Sequence, residues 1–255
     1  MTKIISIVNQ KGGVGKTTTA INLASYLAAR GQRVLVIDMD PQGNATSGFG
    51  LDHKGSDPGI YEVLVTPETS IRQVVKVLHD NLHVAPSTPN LAGATVELVS
   101  YPGREYVLHK NLQEIKQYYD YILIDSPPSL GLLTLNGLVA SQAVLIPVQC
   151  EYYALEGLSQ LLHTISLVKD ALNPDLQVLG AVMTMFDGRN KLSEAVFDEL
   201  YQFFPNKIFR SIIPRNVKLA EAPSHGIAIR EYDKHSRGAR AYEKLAEEIL
   251  QAYEQ

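Results

Sequence analysis

The chain has 255 residues, enough for one large α/β unit with a buried core and short for two independent ones. Hydrophobic residues make up 45% and charged residues 20%, which excludes a disordered or fibrous class; the lone cysteine, Cys150, excludes a disulfide framework and fits a reducing, cytoplasmic setting. The net charge of -4 is unevenly spread: between Lys207 and Arg240 eight Lys/Arg stand against three Asp/Glu, leaving +5 there and -9 elsewhere, the pattern of a basic surface on an acidic body.

In chain order, Ile4 to Val8 is a short continuous apolar run, the pattern of a parallel strand buried on both faces. It lacks a basic leader and a small-residue cleavage site, so it reads as a strand and not as a signal peptide. It passes into the glycine loop Lys11-Gly12-Gly13-Val14-Gly15-Lys16-Thr17-Thr18. A helix follows, with Ala20, Leu23, Ala24 and Leu27 on one face and Gly31 at its end. Val34 to Ile37 is the next strand. From Gly43 to Gly103, residues such as Gly48, Gly55, Pro58, Pro67, Pro86 and Gly93 punctuate short apolar pieces, which predicts loops and short helices around one strand, Leu82 to Pro86. Tyr121 to Ile124, Ala143 to Val148 and Val178 to Met185 read as further strands. Leu155, Leu158, Leu161, Leu162, Ile165 and Leu172 mark a helix, and Ala239, Tyr242, Leu245, Ala246, Ile249 and Tyr253 mark a closing one. This alternation predicts a single domain over 1–255: a doubly wound, mostly parallel α/β sheet flanked by helices. No run of eighteen apolar residues is present, so no membrane span is expected.

A glycine loop between a buried strand and a helix makes a nest of backbone N–H groups at the helix N-terminus, where polyphosphate binds. In such a P-loop Lys16 reaches the β- and γ-phosphates and the Thr17 hydroxyl ligates Mg²⁺. The usual spacing would put glycine at position 10. Gln10 stands there instead, and Lys11 adds a second cation, so the loop is a variant. The segment Val36 to Asn44 delivers two carboxylates to the carboxyl edge of the sheet, where ligands sit. Asp40 is the candidate for orienting the attacking water and Asp38 for organising the Mg²⁺ site; capping of the following turn is the alternative for both. The run Tyr121 to Pro128 has the form of a Walker B strand carrying Asp125 to the Mg²⁺ site. The seven histidines lack metal-ligand spacing. Tyr118, Tyr119, Tyr121, Tyr152 and Tyr153 border predicted elements and read as core edges, not stacking platforms.

Together these segments resemble the ParA/Soj chromosome- and plasmid-partitioning ATPases, in the deviant Walker A group that also holds MinD and the nitrogenase iron protein. The resemblance covers nearly the whole chain and rests on Lys11 to Thr18, Asp38 to Thr46, Asp125 to Leu133, Pro147 to Leu158 and Ile213 to Gly226. It implies an ATP-driven, face-to-face homodimer in which Lys11 crosses to the partner's phosphates. Hydrolysis would be slow until a ParB-type centromere-binding protein stimulates it. It implies an adenine pocket at Met185, Asp187, Pro214, Arg215 and Asn216, and sequence-independent binding of double-stranded DNA through Arg189, Arg215 and Lys218, in the cytoplasm on the nucleoid. The basic Lys207 to Arg240 stretch agrees in sign, because non-specific DNA binding works through clustered Lys/Arg that displace counterions.

Rival readings fare less well. A MinD-like membrane ATPase needs a terminal amphipathic helix with a basic polar face, and here Arg240 and Lys244 are outnumbered by Glu243, Glu247, Glu248 and Glu254. An iron–sulfur protein of the same group needs paired cysteines. A ligase that uses ATP to activate a carboxylate, or an adaptor that binds nucleotide without turning it over, stays open on sequence alone.

Overall fold

The computed structural model describes residues 1–55, 57–150, 157–189, 200–205 and 207–254. Seven strands form one sheet: β1 (Lys3–Ile7), β2 (Val34–Asp38), β3 (Lys76–His79), β4 (Leu82–Ala85), β5 (Tyr121–Asp125), β6 (Ala143–Gln149) and β7 (Gln177–Thr184), in the order β3-β4-β2-β5-β1-β6-β7. All neighbouring pairs are parallel except β3 with β4. The apolar strands β2, β5 and β6 are buried at every position, as strands covered by helices on both faces must be.

Side chains alternate between two helical layers. Ile5, Ile7, Val34, Val36, Leu123 and Leu145 pack with the helix α1 (Lys16–Ala29) and the C-terminal helix Arg237–Glu254. Ile4, Leu35, Ile37, Ile122 and Ile124 pack on the other face with Ile60, Ile71, Leu91 and Leu108. The C-terminal helix spends its apolar face, Ala239, Tyr242, Leu245, Ala246 and Ile249, inside this core. Tyr242 also reaches Thr19 of α1, hydroxyl to hydroxyl at 3.1 Å, and Arg30 ties α1 to Glu243 and Glu247. That face has no surface left for a bilayer. Among the described residues no helix is long and apolar enough to cross a membrane.

The strand order reverses beside β1: β2 lies to one side, beyond β5, and β6 and β7 lie to the other. The carboxyl ends of β1, β2 and β5 therefore open a crevice at the switch point, where open α/β sheets hold their ligands.

Two expectations need correction. The Gly43–Gly103 stretch holds two strands, because Lys76–His79 folds back antiparallel on β4 through the two-residue turn Asp80-Asn81. With Lys76 and Leu78 only partly buried and Val77 and His79 exposed, this edge strand has little apolar pattern, and its turn lacks the glycine that marks a two-residue hairpin in sequence. Tyr119 and Tyr121 are core edges as expected, but Tyr118 is half exposed under the Arg72 guanidinium. Tyr152, Tyr153 and Leu155 lie outside the described residues, as does much of the Pro147 to Leu158 segment.

Candidate active site

The loop that leaves β1 is held from several directions. The buried Asn9 side chain donates to the carbonyl of Pro147 (2.8 Å) and accepts from the Lys11 N–H (3.0 Å), so the loop's first turn is fixed to β6. Gln10, in place of the usual glycine, donates to the Gly157 carbonyl at 2.7 Å. Val14 is buried, and its carbonyl accepts the Thr184 hydroxyl at the end of β7 at 2.8 Å. Gly13 (φ 74°) and Gly15 (φ 89°) adopt the left-handed conformation that side chains resist, which is what the two glycines are for. The result is a braced loop that opens α1, and the first N–H groups of a helix have no partner within the helix itself.

Gly12, Gly13, Gly15, Lys16, Thr17 and Thr18 line a cleft of about 370 Å³ together with Asp40, Asn44, Pro128 and Pro223. A second, mostly apolar cleft of the same size adjoins it through Gly15, Thr18 and Met185, and contains Pro214, Arg215 and Asn216 with Leu219 and Tyr242. Met185, at φ 53°, is the one non-glycine residue with positive φ among those described, and it stands at the junction of the two.

Lys16 is buried, and its ammonium donates to the Lys11 carbonyl at 3.1 Å. Burial pulls its pKa down, opposed by the charges of Asp125 and Asp40. The Thr17 hydroxyl donates to Asp125 Oδ2 at 2.7 Å. The other Asp125 oxygen, Oδ1, is buried without a hydrogen-bond partner among the described residues. Asp125 is paired in register with Asp38 on the next strand, and burial together with the Asp38 charge raises its pKa well above the carboxylate range. A buried carboxylate with an orphaned oxygen, beside a hydroxyl and a phosphate-binding loop, is a donor set that fits a hard divalent cation.

Asp38 itself is fully engaged: Oδ1 accepts the Asp40 N–H (3.1 Å), and Oδ2 accepts the Thr46 N–H (2.8 Å) and hydroxyl (2.7 Å). Burial raises its pKa against those hydrogen bonds. Its visible role is therefore to shape the Asp40 loop. Asp40 faces the cleft, and its Oδ1 accepts the Gln42 N–H at 3.0 Å.

Outside the cleft, Asp187 stands two residues beyond Met185 with its carboxylate gripped by the Arg189 guanidinium at 2.7 and 2.9 Å. The hydrogen bonds from the Arg189 side chain and N–H, with a smaller contribution from its charge, hold that carboxyl down at about 2. Lys218 pairs with Glu221 at 2.8 Å and lies over the Tyr232 ring. Arg210, Arg237, Arg240 and Lys244 line one groove of about 440 Å³, with Phe186, Ile212 and Pro214 beside them, and Lys207 and Arg210 line a neighbouring one. Lys207, Arg210, Arg237 and Arg240, half of the cations in the basic stretch, are thus gathered on these grooves, joined by Lys244 of the C-terminal helix. Sequence reading missed Pro128, Pro223 and Tyr242 as lining residues, since apolar walls carry no motif. Pro128 and Pro223 nonetheless fall inside segments quoted for the resemblance.

A strand, a variant glycine loop and a helix, facing carboxylates from two adjacent strands, define a P-loop nucleotide-binding protein. A family model described as an AAA domain matches residues 2–178. The sporulation initiation inhibitor protein Soj of Bacillus subtilis is 53% identical over 98% of this chain and 98% of its own. The chromosome partitioning protein ParA of Myxococcus xanthus is 52% identical over 97% of this chain and 88% of its own. Among solved structures, a cobyrinic acid a,c-diamide synthase from Mycobacterium smegmatis with bound ATP analogue and magnesium superposes with a TM-score of 0.89 at 35% identity, covering 100% of this chain and 97% of that one. The chain belongs to the ParA/Soj family of partitioning ATPases.

Proposed function

We propose that residues 1–255 act as one Mg²⁺-dependent ATPase domain that works as a timed switch on DNA, in the cytoplasm and on the nucleoid. ATP closes two copies face to face, the dimer binds double-stranded DNA without regard to sequence, and hydrolysis stimulated by a ParB-type centromere-binding protein ends the bound state. The observation that carries this reading is the convergence of Lys16, Thr17 and Asp40 on one cleft, with the buried Asp125 bonded to Thr17 behind its wall and an additional lysine, Lys11, at the start of the loop. The partitioning names of the relatives support its DNA half, and the basic grooves add cationic surface of the right sign although they hold none of Arg189, Arg215 and Lys218.

The triphosphate lies on the N–H nest at the start of α1, with the base in the apolar cleft of Met185, Pro214, Arg215 and Asn216; Asp187, also expected at the base, follows Met185 by two residues and is not part of the cleft wall. Lys16 exchanges the Lys11 carbonyl for phosphate oxygens. The Thr17 hydroxyl and Asp125 hold Mg²⁺, with Asp38 behind them; the cation supplies charge stabilisation on the phosphates. Asp40 orients the attacking water. Phosphoryl transfer asks the protein mainly for positioning and charge, so a site lacking one cation is slow. Lys11 of a second copy is the missing charge. DNA contacts are assigned to Arg189, Arg215 and Lys218.

A carboxylate-activating ligase, the reading brought up by the Mycobacterium smegmatis neighbour, predicts turnover that depends on a small carboxylic substrate and ignores DNA. The higher identity to partitioning proteins and the basic grooves favour the switch.

The test is a pair of variants. Asp40→Ala is expected to bind ATP and dimerise while turnover falls by about a hundredfold or more; wild-type turnover overturns the role. Lys11→Ala is expected to bind ATP yet sediment as a monomer, and an ATP-dependent dimer would overturn the crossing lysine.

A further inference from the structure

Asp40 sits on the first turn beyond β2, a position that two residues of loop would normally leave adjustable. Its main chain is instead closed into a ring. The Asp40 N–H donates to Asp38 Oδ1 at 3.1 Å, and Asp38 Oδ2 accepts the Thr46 hydroxyl at 2.7 Å. The Thr46 oxygen accepts the Ser87 N–H at 2.9 Å, and the Ser87 hydroxyl donates back to the Asp40 carbonyl at 2.7 Å. Asp38, Thr46 and Ser87 are each 0% exposed and Asp40 7%, so water does not compete for any link. The Gly43 N–H adds a second donor to the same carbonyl at 2.9 Å.

The ring joins three separate pieces of chain: the end of β2, the short helix α2 (Asn44–Gly48), and the loop leaving β4. Ser87 is the member that brings in the last of these. That loop is itself anchored, since the Pro86 carbonyl accepts the Ile60 N–H at 2.8 Å and His53 Nδ1 lies 3.2 Å from the Ser87 carbonyl.

We propose that Ser87 is a positioning residue for hydrolysis: its hydroxyl, with Thr46 as the relay to Asp38, fixes the Asp40 peptide so that the carboxylate meets the attacking water. The inference rests on the reading of Asp40 given above. Ser87 lines neither part of the nucleotide cleft, so its effect belongs on the chemical step and not on nucleotide affinity. A small misplacement of a catalytic group has a large effect on rate, which makes such a clasp worth building.

The experiment measures kcat, KM for ATP and thermal midpoint for Ser87→Ala, Ser87→Thr, Thr46→Val and Thr46→Ser, with Asp40→Ala alongside. Ser87→Ala and Thr46→Val should lower kcat about tenfold with KM within about twofold of wild type, by the misplacement argument. Thr46→Ser, which keeps the hydroxyl, should hold wild-type kcat, and Ser87→Thr should recover part of the loss. Adding Ser87→Ala to Asp40→Ala should lower residual turnover no further, because the clasp acts only through Asp40. Wild-type kcat in a folded Ser87→Ala overturns the clasp, as does wild-type kcat in Thr46→Val, a loss shared equally with nucleotide affinity or an additive loss in the double variant. If Ser87→Ala fails to fold, the Thr46 pair decides alone. Wild-type turnover in Asp40→Ala would instead overturn the Asp40 reading, a result distinct from failure of the clasp.

Discussion

Asp125 shows how one side chain can be arranged for a ligand. Its Oδ2 is satisfied by Thr17, while Oδ1 is buried with no partner among the described residues. Leaving a buried polar atom unpaired costs about 1–3 kcal/mol, a cost that a cation bound at Oδ1 would offset. Thr17→Ala is accordingly expected to raise the Mg²⁺ concentration needed for turnover by about tenfold or more, read from a Mg²⁺ titration at saturating ATP; an unchanged Mg²⁺ requirement would remove Thr17 from the site. At this scale the motifs were legible, because phosphate and cation chemistry dictate Lys16, Thr17, Asp40 and Asp125 at fixed places in strand, loop and helix. Ser87 was not. Its link to Asp40 spans 47 residues and is made by a main-chain carbonyl, which leaves no trace in local spacing.

The elements position these residues by being braced, and the braces are mostly single hydrogen bonds between loops. Gly43, at φ 60°, closes the Asp40 turn and opens α2, and a Cβ there would lie 1.9 Å from the His53 ring. Gly43→Ala is therefore expected to cost about 1–2 kcal/mol from the left-handed backbone alone, before His53 is displaced. Thermal unfolding should register that as a fall of at least about 2–4 °C; an unchanged midpoint would mean that the turn relaxes freely. The strands that build the site were legible from their continuous apolar runs, to within a residue or two at each end. The edge strand β3 was not, since partial exposure leaves four residues with no period to read. Gln10 was noticed only as a departure from a pattern. Its bond to Gly157 shows the physical use of the departure, a brace that glycine could not supply.

For the whole molecule, the uneven charge read from composition becomes a basic surface around Arg210, Arg237, Arg240 and Lys244, on a chain that is net negative. Arg189 and Lys218 are each engaged by a carboxylate, Asp187 and Glu221, but both pairs are exposed. Exposed pairs are worth about 0–1 kcal/mol, so they hold the cations in place without barring phosphate from replacing the carboxylate. DNA binding is expected to require ATP, to ignore sequence and to weaken steeply with salt. Arg189→Glu and Lys218→Glu should each weaken it with ATP affinity unchanged; DNA binding that survives both reversals would move the interface elsewhere. The fold and the family were legible across the chain because its motifs are spread along it. The surface was legible only in sign, since a helix commonly carries a solvated basic face and only packing decides which cations gather. The measurement that bears most directly on a DNA-borne, partner-triggered switch is steady-state ATP turnover by the chain alone, with DNA, with a basic partner peptide, and with both. The account predicts slow turnover in the first three conditions and clear stimulation in the fourth; full turnover by the chain alone, or stimulation indifferent to DNA, would contradict it.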